Sequence, residues 1–173
     1  TTDSQYGAGV LATAGGNFPA DAGQQTITQG SLTITKKTDS PSGDVVKDAS
    51  GVVFARFEFK AQGEKMKVEN LRVSQTNSNG GSTVGTNVTE LRNGAVFADG
   101  VQVGSTADIN EDSNTSTYTQ YSLGSSLIVE PGKPRIVEVR ADVFDGDATN
   151  NVAANDTVTM NIVAGSSNVQ RLT

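Results

Sequence analysis

The stretch Val53–Ala61 narrows what this chain can fold into more than any other. Val53, Ala55, Phe57, Phe59 and Ala61 fall on alternate positions, with Arg56, Glu58 and Lys60 between them. A period of two puts the apolar set on one face of an extended strand and the charged set on the other, as in a half-buried antiparallel strand. The pattern recurs. Leu32 and Ile34 alternate with Thr33 and Thr35; Val137, Val139, Ala141 and Val143 with Glu138, Arg140 and Asp142; Val158, Met160, Ile162 and Ala164 with Thr157, Thr159 and Asn161. Met66 and Val68 share one parity but Leu71 and Val73 take the other, so a bulge is expected near Glu69 or Asn70.

Between these runs lie turn signals: Asn79-Gly80-Gly81, Asn93-Gly94, Asp99-Gly100 and Glu130-Pro131-Gly132-Lys133-Pro134. Val88–Ala98 and Val101–Val103 flank the Asp99-Gly100 turn as a hairpin would, and Thr115–Val129 holds one or two further strands. Val and Thr suit extended backbone because of branching at Cβ, and no helix-forming run interrupts them. The expectation is an all-β chain of about eight to ten strands, a two-sheet β-sandwich of immunoglobulin-like or jelly-roll type. No strong internal repeat is present. At 173 residues the chain can bury a core without staples.

The composition removes several functions. With no His and no Cys, the chain has no Ser-His-Asp or Cys-His nucleophile, no thiolate metal site and no disulfide. No nucleophile elbow or phosphate-cradling loop appears, and the absence of Trp disfavours a sugar-stacking platform. We therefore expect no enzyme. A net charge of −6 argues against nucleic acid and against anionic membrane surfaces. No apolar run approaches the ~20 residues a membrane-spanning helix needs. The chain opens at Thr1 with no initiator Met and no signal peptide, as processed secreted proteins do and as a trimmed piece would. The expected location is extracellular, at the cell surface.

Residues 1–23 differ from the rest. Tyr6–Ala14 is a small-residue apolar stretch, and 15–23 (GGNFPADAG) has linker composition. As a strand it puts Tyr6, Ala8, Val10, Ala12 and Ala14 on one face and Leu11 on the other. It could be the first strand of the chain's own domain, residues 24–173. It could instead be a donor strand that completes the sheet of a neighbouring copy, with Tyr6, Val10 and Leu11 as anchors and 15–23 as the tether. Repeated head to tail, such a contact builds a filament.

Two weaker patterns complete the inventory. Asp108, Asn110, Asp112 and Asn114 place oxygens at alternate positions, which could wrap a hard cation such as Ca²⁺. Ser113 stands where an EF-hand has its turning Gly, and Thr119 where it has its bidentate Glu, so an ordinary polar loop is the competing reading. Asn87, Asn114 and Asn155 begin sequons, which are glycosylation acceptors in a suitable host.

Two stretches carry a family resemblance: GSLTITKKTDSPSGDVVKDASGVVFARFEFKAQGEKMKVENLRV (Gly30–Val73) and LIVEPGKPRIVEVRADV (Leu127–Val143). In layout they resemble β-sandwich modules of prokaryotic cell-surface proteins, and the chain is similar in plan to TasA-like and archaeal bundling-pilus subunits. That resemblance implies an extracellular fibre polymerised by donor-strand exchange, with Tyr6–Ala14 as the donated strand, copies of the chain itself as partners, and cell-surface or matrix components around it. The alternative is a monomeric cell-surface or S-layer module that binds a partner, a glycan or calcium.

Overall fold

The computed structural model of the chain describes residues 29–78, 91–110, 118–144, 156–163 and 169–172. Among them there is no helix. Eleven strands follow in chain order: β1 (Ser31–Lys36), β2 (Val52–Gln62), β3 (Lys65–Val68), β4 (Asn70–Ser78), β5 (Leu91–Ala98), β6 (Val101–Ile109), β7 (Thr119–Ser122), β8 (Ile128–Val129), β9 (Arg135–Val143), β10 (Thr157–Ile162) and β11 (Val169–Leu172). All their pairings are antiparallel.

One sheet has the order β1-β2-β9-β5-β6; two three-stranded sheets have the orders β10-β4-β7 and β11-β3-β8. The two small sheets are separated at Glu69, the residue between β3 and β4. Its carbonyl accepts the Leu123 and Gly124 N–H groups, and Val68 N–H donates to Leu127 O. Met66 and Val68 are buried before the break, Leu71 and Val73 after it. One residue out of step thus keeps apolar side chains on the core side of both segments. It also divides long strands into shorter ones, which is why the strands outnumber the sequence expectation.

The core forms a single cluster with contributions from all three sheets. β2 supplies Ala55, Phe57, Phe59 and Ala61, and β9 supplies Val137, Val139, Ala141 and Val143. Full burial of a side chain such as Phe59 or Val137 is worth about 1.5–3 kcal/mol. The result is an all-β, sandwich-like fold. Val53, expected with the β2 core set, is only half-buried, because the β2–β9 register shifts between Val53 and Ala55.

The outer face of the large sheet is polar and paired. Arg56 and Glu138 are register partners, with Arg56 Nε 2.7 Å from Glu138 Oε1. Arg140 donates to Glu138 Oε2 at 2.6 Å, and its guanidinium lies 4.1 Å from the centre of the Phe97 ring.

Candidate functional site

The edges of the fold differ. On one flank, β6 of the large sheet runs beside β7. Thr119 Oγ1 donates to Asp108 O (2.7 Å), Asn110 N–H donates to Thr119 Oγ1 (2.9 Å), and Gln75 N–H donates to Asn110 O (3.1 Å). Tyr121 adds a hydrogen bond from its hydroxyl to Ala107 O at 3.1 Å. Burial, helped by the Asp108 charge, pushes that phenol well above the ordinary tyrosine range. This flank is sewn shut by backbone and side chain.

Away from that flank, β1 ends the large sheet and β10 ends one of the small ones. Among the described residues each has one strand neighbour, β2 and β4 respectively. Ile34 is 37% exposed, while Leu32, Val158 and Ile162 are only partly buried against the core. An edge strand presents unpaired N–H and C=O groups, and here apolar side chains accompany them.

The expected donor residues Tyr6, Ala8, Val10, Leu11, Ala12 and Ala14 lie outside the described residues. So do Asp112, Asn114, Asn87 and Asn155. Of the alternating oxygen set, Asp108 is the penultimate residue of β6, its carboxylate accepting the Asn93 N–H at 3.1 Å. Asn110 follows one residue beyond the strand, its side-chain amide donating to Tyr118 O at 3.4 Å. Among the described residues no three His, Cys, Asp or Glu side chains come together as a metal group.

A feature the sequence reading passed over sits at the end of the fold where β2 turns into β3. A cleft of about 370 Å³ is lined by Lys65, Ile128, Glu130, Lys133 and Arg135. A smaller one of about 190 Å³ beside it shares Glu130 and is bordered by Lys60, Ala61 and Pro134. Glu130 takes Lys133 Nζ at 2.8 Å and Lys65 Nζ at 2.7 Å. Those two ammonium groups, Lys133 first, hold its carboxyl down to about 2, and Glu130 in turn raises Lys133. Arg135 pairs with Asp99, whose other oxygen accepts the Ile136 N–H at 2.8 Å. The Pro131-Gly132 turn brings these groups together, with Gly132 at φ 75°. The sequence signal was there: Lys60, Lys65, Lys133 and Arg135 all stand beside turns of an otherwise acidic chain.

No protein-family model matches this chain, and neither a curated protein nor a solved structure does. Among the described residues no helix is long and apolar enough to cross a membrane.

Proposed function

We propose that this chain is a structural subunit of an extracellular filament, in which Tyr6–Ala14 of one copy completes a sheet edge of the next. The observation that supports the reading most directly is that, among the described residues, β1 and β10 each have a strand neighbour on one side alone and carry partly covered apolar side chains. Added strands bind such edges through main-chain hydrogen bonds, with alternate side chains filling the groove. The N-terminal stretch is apolar, of small residues and compatible with the period of a strand. On this reading the fold is a two-sheet sandwich of immunoglobulin-like or jelly-roll connectivity. Its kinship in plan is with TasA-like and bundling-pilus subunits, and its role is structural, at the cell surface, with no catalysis.

Negative-stain electron microscopy of the full chain beside residues 24–173 tests it. Filaments from the full chain and none from the shorter one are expected. Val10→Asp and Leu11→Asp should abolish filaments while leaving the domain folded, because an unpaired charge inserted between sheets costs several kcal/mol. Monomers from the full chain at every concentration would overturn the reading and leave Tyr6–Ala14 as a strand of its own domain.

A further inference from the structure

The two ends of the molecule complement each other. β2 runs between them over 11 residues, about 35 Å at the usual rise of a strand. At its Gln62 end lies the larger cleft, with Ile128 in its lining and Lys65, Lys133 and Arg135 around it. Two carboxylates, Glu130 and Asp99, face these three cations, so positive charge is in surplus. Lys133 and Lys65 keep 77% and 57% of their side chains exposed.

At the Val52 end, the connection between β1 and β2 pushes out Val45 and Val46, which are 45% and 78% exposed. A single exposed valine is ordinary. Here two adjacent ones lead into an anchored turn centred on Lys47 and Asp48. Ala49 N–H donates to Val46 O (3.3 Å), Ala49 O accepts Val143 N–H (2.9 Å), and Gly51 N–H donates to Asp142 (2.6 Å). Asp44 and Asp48 flank the pair, with one cation, Lys47, between them. An exposed valine pair bordered by carboxylates at one end thus matches, at the other, a cleft with Ile128 in its lining and ammonium and guanidinium groups around it.

We propose that the exposed Val45–Val46 pair of one copy seats in the Lys65–Ile128–Lys133 cleft of the next. The contact is heterologous, and repeated without a rotation that closes a ring it builds a line of copies. It rests on the reading that copies join head to tail, and it adds a second contact that involves no strand exchange. In a chain of net charge −6, copies repel at long range; opposite charge at the two ends favours the end-to-end orientation and speeds the encounter.

Charge reversal in the full chain tests the contact, with circular dichroism to verify folding and sedimentation to read the critical concentration for assembly. Lys65→Glu with Lys133→Glu, and separately Asp44→Lys with Asp48→Lys, should each raise that concentration about tenfold, equivalent to ~1.4 kcal/mol. All four reversals in one chain should bring it back close to the parent value, because the ends match again with signs exchanged. Val46→Lys, at a position too exposed to affect folding, should behave like the single-end reversals. Filaments that assemble at the parent concentration in every variant would overturn the end contact and leave strand donation standing. A parent chain that never assembles would remove both.

Discussion

Gly94 lies where β5 shifts register against both β6 and β9. A Cβ built there would come within 2.5 Å of Tyr121 Oη and 2.7 Å of Ala107 O, with Ile109 Cγ1 closer still. The Tyr121 hydroxyl bonds to that same Ala107 carbonyl, so the glycine makes room for the polar stitch that closes the β6–β7 flank. Gly94→Ala must push the stitch apart or move β5. We expect it to lower stability by about 1–3 kcal/mol, the usual effect of overpacking a dense interior. Urea denaturation followed by far-UV circular dichroism would check this, and an unchanged midpoint would show that the corner yields freely. The Asn93-Gly94 pair reads in the sequence as a hairpin turn. In the structure it lies within β5, with Asn93 at φ 51°, because the Asp99-Gly100 turn already joins β5 to β6 and the left-handed residue serves the bulge.

At the scale of elements, the strands with clean alternation were legible. β9 buries the residues its period assigns to the core and β2 buries all of its set but Val53, and the parity change between Val68 and Leu71 marks the break at Glu69. Alternation disclosed the start of β4 at Leu71 and Val73 but not its middle, where Val73, Ser74 and Gln75 are buried consecutively. Burial on both faces depends on what packs over a strand, which its own pattern does not encode. The β2–β9 pairing also fixes Glu138 between Arg56 and Arg140, with its side chain 12% exposed. Hydrogen bonding from Arg140, opposed by burial and reinforced by Arg56, holds the Glu138 carboxyl below its ordinary 4.5. A carboxyl depressed in the folded state stabilises the fold above the unfolded value, and that contribution fades as pH falls below 4.5 towards the folded one. Glu138→Gln should therefore lower stability by about 1–2 kcal/mol at neutral pH, since it removes charge-assisted hydrogen bonds. It should also make the decline between pH 5 and pH 3 shallower. Midpoints of chemical denaturation measured across that range for both proteins check the sign, and parallel curves would mean that other carboxylates govern acid unfolding.

For the molecule as a whole, the all-β class follows from local patterning, but the edges that β1 and β10 present among the described residues, and the charged cleft, come only with tertiary structure. Lys65 and Lys133 are 68 positions apart in the chain and meet on one carboxylate only because β3 pairs with β8 and the Pro131-Gly132 turn follows. The difference between the edges has a consequence that amide exchange can read. Protection follows the free energy of local opening, and edge strands open before central ones. In the free subunit, amides of β2, β9 and β5 should exchange slowest, since each of these strands has a neighbour on both sides. β7 should be better protected than its edge position suggests, because the hydrogen bonds from Thr119, Asn110 and Tyr121 tie it to the end of β6. β1 and β10 should exchange fast. If a strand from a neighbouring copy completes one of these edges, assembly must slow exchange in β1 or β10 by orders of magnitude while leaving β2 and β9 nearly unchanged. An end contact alone would instead protect the residues near Val46 and Lys65 and leave both edges fast. Exchange measured by mass spectrometry on free subunit and assembled protein therefore separates the two modes of contact, and filaments whose β1 and β10 amides stay unprotected would rule out strand donation onto either edge.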